Sequence, residues 1–441
     1  MLGPVLQKIS EDKAFIIHAT NSLITRSLSA LGIIILSFAL ATVNGAEGVG
    51  QVMLTLSILV GLSTVARFGF DTAILKHAGI AVHDKNYIDF VVIQQKAIKI
   101  SGVLSTCISG VILLFEDTIA SLLNLNLNLL VIAILLPLFS VMYIQAALMK
   151  ALGRSIYAPI FELGGIAFVV SCVVLFMHAY EIHVGIENLF TVMACLVAGV
   201  VCLGFFSINK IVCQVFGSER HNTTSTQVTD LIRTLPDYAS MSILSYLLQW
   251  GWLLLLGAML TAEDVGVFSV VQRLAMAANI VLVVFNGILA PKIAALYAKK
   301  NNDDLQNLVK RSTVYMLLVS WPLLFTFIIF PREWLILFGD EFVYASSMLV
   351  LLACAQLVNI AAGSVGFILT MSGYQKIMRN ISACAGLGGI LMAALLIHYI
   401  DIYGAAVAYC CVVIAQNVTA SYFVKKKIGF IPLISGRVFN A

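Results

Sequence analysis

Residues 129–154 read LLVIAILLPLFSVMYIQAALMKALGR, and the first twenty-one of them, 129–149, carry no charge. A helix rising 1.5 Å per residue needs about twenty such residues to cross the ~30 Å hydrocarbon layer of a bilayer. The run ends in a short turn that holds Lys150, Gly153 and Arg154. The same alternation of apolar span and charged connection extends along the chain. Twelve spans are predicted, near 15–43, 49–70, 91–115, 129–149, 157–178, 188–209, 238–260, 265–290, 312–330, 344–371, 380–399 and 404–424.

The basic residues then sort by side. Of the 26 Lys and Arg, 23 fall in alternate connections or in the span ends that adjoin them, from Lys8 and Lys13 through Lys150 and Arg154 to Lys425, Lys426 and Lys427. Arg332 alone lies in an opposite connection, and Arg26 and Arg273 lie within spans. Lys and Arg are retained on the cytosolic side of a bacterial inner membrane, so both termini are predicted to be cytosolic. The opposite connections are acidic, with Glu47, Glu116, Glu263, Asp264, Glu333, Asp340 and Asp401 among them.

Composition points the same way. A chain of 441 residues with 61% apolar and 11% charged residues and a mean hydropathy of +1.00 has too little polar surface for a water-soluble globule. Its net charge of +4 is spread over short segments with no domain to hold a groove, so nucleic acid is not an expected partner. Most of the nine cysteines lie within spans, without C-x-x-C or Cys/His spacing, so neither a metal site nor a cofactor is predicted. Ser10-Glu-Asp-Lys13 precedes a first span too long for a cleaved signal, which makes that span an uncleaved start.

Short connections leave no room for a catalytic domain, so a transporter rather than an enzyme is expected. The most polar stretch, 214–230, divides the chain into a bundle of six spans over 1–213 and another over 231–424, followed by a basic tail at 425–441. Ala46-Glu-Gly-Val-Gly50 matches Ala262-Glu-Asp-Val-Gly266, and Leu148-Met-Lys-Ala-Leu-Gly-Arg154 aligns with Ile368-Leu-Thr-Met-Ser-Gly-Tyr374. An even number of spans per half makes the repeat parallel. The expected fold is therefore an all-α membrane protein, twelve transmembrane helices in two six-helix bundles around a central cavity.

Six segments, in order and on the appropriate sides, carry a family resemblance. They are Ala66-Arg-Phe-Gly-Phe-Asp-Thr-Ala-Ile-Leu-Lys76, Asp264-Val-Gly-Val-Phe-Ser-Val-Val-Gln-Arg-Leu274, Ala290-Pro-Lys-Ile-Ala-Ala-Leu-Tyr297, Leu337-Phe-Gly-Asp-Glu-Phe342, Leu369-Thr-Met-Ser-Gly373 and Tyr403-Gly-Ala-Ala-Val-Ala408. Together they resemble the Wzx-type flippases, the polysaccharide-transport branch of the multidrug/oligosaccharidyl-lipid/polysaccharide exporter superfamily. The resemblance implies transfer of an undecaprenyl-diphosphate-linked oligosaccharide from the inner to the outer leaflet, for O-antigen or capsule-type polymer, with the polymerase machinery as a partner and membrane lipid around it. It departs from many relatives at Trp252, where an acidic residue often stands five positions before Gly257, and at Ala41-Thr-Val43, where a basic residue often closes the first span.

A polar head group crosses hydrocarbon only within a polar lining, because an unpaired charge at the bilayer centre costs several kcal/mol. Candidate lining residues are Asn21, Ser22, Arg26 and Ser29 in the first span; Tyr238, Ser242, Ser245, Tyr246 and Gln249 in the seventh; and Gln272, Arg273, Asn279 and Asn286 in the eighth. Gln356, Asn359, Gln416 and Asn417 extend the set. Ser, Asn and Gln in membrane helices also serve as interhelical hydrogen-bonding groups, which is the plainer reading of each. The guanidinium forks of Arg26 and Arg273 suit diphosphate or sugar-acid oxygens. Arg67, Asp71, Glu162 and Asp237 are gate or coupling candidates, with an Arg67–Asp71 ion pair as the structural alternative. A multidrug or cation exporter and a peptidoglycan-precursor flippase of the same superfamily remain rival functions. An ATP-driven pump is not expected, since no G-x-x-x-x-G-K-[ST] occurs. Replacing Arg26 or Arg273 by Ala should abolish surface polysaccharide with membrane levels intact; normal polymer from both variants would remove them from the mechanism.

Overall fold

The computed structural model describes residues 3–116, 128–182, 185–217, 227–299 and 301–430; within its helices the side chains of residues 3–28, 30, 227–229, 287, 288, 290 and 291 lie outside the described set. The candidates Asn21, Ser22 and Arg26 are therefore outside it, as are most of the 214–230 linker and the end of the tail.

The described residues are almost wholly helical, without strands. In order the helices are α1 (Gly3–Arg67), α2 (Phe70–His83), α3 (Tyr87–Leu114), α4 (Leu129–Ala151), α5 (Leu163–Ala179), α6 (Ile186–Phe216) and α7 (Gln227–Met259). They continue with α8 (Ala262–Ala277), α9 (Asn279–Ala298), α10 (Asn302–Ile329), α11 (Pro331–Ile336), α12 (Ser346–Ala362), α13 (Val365–Met371) and α14 (Gln375–Ile428). Two of these are double: α1 kinks at Gly45 (φ 68°) and α14 at Ile400–Asp401, each where an outer turn is expected. Eight helices among the described residues are long and apolar enough to cross a membrane, α8 and α9 form one further span bent by 45°, and α5 is a shorter apolar helix. Counting both arms of α1 and α14 gives the twelve crossings of the sequence reading.

Large apolar side chains face outward without neighbours. Leu391 and Leu395, one turn apart on α14, are 69% and 68% exposed. Such a stripe would be unfavourable in water and is neutral in hydrocarbon, so the chain is a multi-pass membrane protein.

The chain falls into two compact units, one of Ile24–Ala258 and the other of Met259–Ala441 with Met1–Leu23. In the first, α1 and α5 meet where Gly32 and Gly164 oppose each other: a Cβ on Gly32 would strike the Gly164 carbonyl, and one on Gly164 would strike Ser29. Small residues at such crossings let helix backbones approach closely in lipid. The end of α1 and the start of α2 run beside α7, with Gly69 (φ 80°) so near that a Cβ there would meet the backbone of Leu235, Tyr238 and Ala239. In the second unit, α9, α10, α13 and α14 share a core that includes Ile293, Leu305, Ile368, Leu369 and Val424.

One of the two segment pairs matched in sequence shares a backbone turn. After α4, the Gly153 amide bonds to the Lys150 carbonyl (3.1 Å) and the Arg154 amide to the Met149 carbonyl (2.9 Å), with Gly153 at φ 74°. After α13, the Gly373 amide bonds to Thr370 (3.3 Å) and the Tyr374 amide to Leu369 (2.8 Å), with Gly373 at φ 86°. Both are Schellman turns, which use a left-handed glycine to satisfy the last carbonyls of a helix. The turns of the other matched pair differ: the first half uses Gly45, whereas the second caps α8 with Thr261, whose side chain and that of Asp264 bond reciprocally.

These two kinds of glycine predict unequal effects. Gly153→Ala meets open space and should lose roughly 1–2 kcal/mol from the left-handed backbone alone. Gly69→Ala adds a collision with α7 and should lose about 3 kcal/mol or more. Thermal unfolding of the two purified variants in detergent compares them directly.

Candidate functional site

Two polar clusters stand out among the described residues, one in each unit. The first surrounds Arg67 at the C-terminal end of α1. Two consecutive left-handed residues, Phe68 and Gly69, interrupt the helix and start α2 with Asp71 in its first turn. Arg67 is only 4% exposed. Its Nη2 donates to Thr64 Oγ1 (2.8 Å), and the same nitrogen lies 3.8 Å from Asp71 Oδ2. The guanidinium carbon sits 4.2 Å from the centroid of the Tyr143 ring on α4, a cation–π geometry. Nε and Nη1 of Arg67 are buried without a hydrogen-bond partner.

Asp71 is held from α7, where Ser242 Oγ donates to its Oδ1 (3.2 Å). Tyr246, one turn further along α7, donates to the Ser57 carbonyl of α1 (2.7 Å). Ser242 and Tyr246 thus tie α7 to its neighbours, Tyr238 is half-buried beside Gly69, and Gln249 is exposed. Glu162 pairs with Lys150 (2.5 Å), joining the end of α4 to the residue preceding α5. Asp237 is exposed on α7 and apart from this cluster.

The second cluster lines a cavity of about 300 Å³ in the other unit, formed by α9, α12, the α12–α13 break and α14. Its polar wall is an amide chain. Asn359 Nδ2 donates to Asn279 Oδ1 (3.1 Å) and Gln356 Oε1 (3.2 Å), while Asn359 Oδ1 accepts from Asn417 Nδ2 (2.9 Å). Gln356, 1% exposed, donates to the Tyr409 hydroxyl (3.1 Å), and Gln416 donates to Ser382 Oγ (3.1 Å). Asn286 also lines the cavity, with its Oδ1 buried and without a hydrogen-bond partner among the described residues. The apolar wall includes Leu282, Phe367, Met378 and Val413.

The stripe read along the eighth span is therefore divided. Because the helix breaks at Ala278 between α8 and α9, Asn279 and Asn286 face the cavity, whereas Gln272, buried on α8, and the half-buried Arg273 are not among its lining residues. A heptad spacing places residues on one face only while the helix is continuous.

Three participants escaped the sequence reading. Tyr143 lies two turns before Lys150, at the same depth as Arg67, and that matched depth was the available signal. Thr64 is one turn before Arg67. Tyr409 lies two turns before Gln416 on the same helix face, a stripe hidden by the aromatic ring's apolar character.

The fold is that of MATE transporters. An inward-facing multidrug resistance MATE family transporter of the MOP superfamily matches with a TM-score of 0.68 at 12% identity, covering 91% of this chain and 94% of the other. An outward-facing one matches at 0.62 and 13% identity over 94% and 95%, and the Vibrio cholerae MATE transporter VcmN in its bent form at 0.57 and 16% identity over 94% and 97%. A search of curated proteins finds no match. The polysaccharide biosynthesis protein family matches residues 13–297, and the chain belongs to that family.

An arginine remains charged in any protein environment, so Asp71 compensates a buried cation. Asp71→Asn should lower stability by about 1–3 kcal/mol, the partly exposed carboxylate keeping the loss below that of a fully buried pair. Arg67→Met combined with Asp71→Leu should recover most of it, because replacing both charges with apolar groups leaves nothing uncompensated. Melting temperatures of the single and double variants decide the point.

Proposed function

We propose that this protein is a flippase that moves an undecaprenyl-diphosphate-linked oligosaccharide from the inner to the outer leaflet of the bacterial inner membrane by alternating access, with both termini in the cytosol. The observation that carries this reading is the amide-lined cavity: in a chain of the polysaccharide biosynthesis family, its lining holds amides and hydroxyls with no carboxylate. Such groups match the hydroxyl and acetamido groups of sugars. A cation exporter would need anionic groups there to repay the desolvation of its cargo.

The diphosphate requires a different partner. Arg26 and Arg273 remain our candidates for it, each offering a planar fork to phosphate oxygens. Arg67 is engaged with Thr64, Tyr143 and Asp71, an arrangement that supports a role in holding α1, α2 and α4 together. Asp71, Glu162 and Asp237 are the carboxylates from which ion coupling would be sought. The exported repeat unit would pass to the polymerase machinery for O-antigen or capsule-type polymer.

The likeness to multidrug transporters favours a second reading, a drug exporter of the same fold. One strain separates the two. Deletion should leave lipid-linked repeat units accumulated on the inner leaflet and surface polymer missing, both restored by the wild-type chain. Drug sensitivity without such accumulation would assign the exporter instead, and accumulation of peptidoglycan precursor would assign the related precursor flippase.

A further inference from the structure

We infer that the amide cavity of the Met259–Ala441 unit is a subsite for one uncharged sugar residue of the glycan, an inference that rests on the flippase reading. Four properties of the cavity converge on this ligand class.

The first is charge. Among the described residues lining the cavity there is no carboxylate, ammonium, guanidinium or imidazole. A diphosphate or a uronic acid would enter without a counter-ion, an unfavourable transfer from water. The second is an unmet acceptor. Asn286 is 8% exposed and its Oδ1 has no partner among the described residues, whereas the neighbouring amide oxygens of Asn279, Gln356 and Asn359 already accept hydrogen bonds. A buried acceptor left open is unfavourable until a donor arrives, and a sugar hydroxyl or acetamido N–H is such a donor. The same commitment of oxygens argues against a hard cation, which takes six or more oxygen ligands.

The third property is preorganisation. Asn359 contacts Asn279, Gln356 and Asn417 together, so the polar wall is fixed before a ligand enters and little ordering accompanies binding. The fourth is shape. A volume of about 300 Å³ is at the lower end of ligand sites, suited to a ring rather than to an oligosaccharide or a polyprenyl chain. Phe367, Met378 and Val413 supply an apolar surface for the C–H face of that ring. Lipid would cover this wall but leave the Asn286 oxygen unmet.

The test uses the full-length protein purified in detergent, with methyl glycosides of N-acetylglucosamine and of glucuronic acid as probes. Saturation-transfer NMR and calorimetry should detect the neutral glycoside in preference to the uronate. Asn286→Leu should weaken the neutral glycoside about tenfold, the loss of one hydrogen bond. Its melting temperature should be unchanged or raised, because the variant removes an unsatisfied buried group. Gln416→Leu, which removes an amide that donates to Ser382 and stands outside the Asn359 chain, provides the second variant should Asn286→Leu fail to fold, and should weaken the same probe. Unchanged affinity in the folded variants overturns the subsite, as does a preference for the uronate, or saturable sodium binding that these substitutions abolish. Those results leave leaflet transfer in the deletion strain unaffected as a separate readout, whereas absence of accumulated lipid-linked repeat units there defeats the flippase reading itself.

Discussion

In hydrocarbon a backbone amide has no water to bond to, and every structural feature of this protein follows from that constraint. It confines the spans to helices and drives each irregularity to a place where another group meets the freed donors and acceptors. The Schellman turns at Gly153 and Gly373 close the last carbonyls of α4 and α13 within the backbone itself. Between α7 and α8, the reciprocal bonds of Thr261 and Asp264 do the same for the first amides of α8. Within the spans, hydroxyls bond to carbonyls three or four residues earlier, as Ser57, Thr64 and Ser105 do. The remaining polar side chains are then scarce enough to stand out.

Those side chains divide by chemistry between the two units. Around Arg67 a permanent charge is balanced by a carboxylate, a ring face and a hydroxyl, with α1, α2, α4 and α7 all contributing to the cluster. Around Asn359 the groups are neutral and bond to one another through paired donors and acceptors. A charged cluster is rigidly specified by its partners, while a neutral amide wall can exchange one partner for a ligand at little loss. The second is better suited to transient occupancy.

Much of the fold was legible because lipid imposes long periods on a sequence: spans of about twenty residues, basic turns and glycine stops are visible without knowledge of packing. The glycine turns at Gly153 and Gly373 were legible for the same reason, since both answer a local backbone demand. The site was less so. Gln356, Asn359, Gln416 and Asn417 were visible as polar residues out of place, but their meeting with Asn279 depends on the break at Ala278, where no proline or glycine marks the sequence. The role of Tyr143 beneath Arg67 depends on how two helices, far apart in sequence, are matched in depth.

Lys150 shows how one side chain acts at two stages. In the topology we propose, its ammonium belongs to a set that biases which connections stay in the cytosol as the chain enters the membrane, before any partner helix exists. Once α4 and α5 are in place, the same ammonium is bound to Glu162 and tethers their junction. The orienting charge is thus consumed by folding. The electrostatic pattern that guided biogenesis is partly erased from the mature surface, and surface potential alone would understate the signal that set the topology.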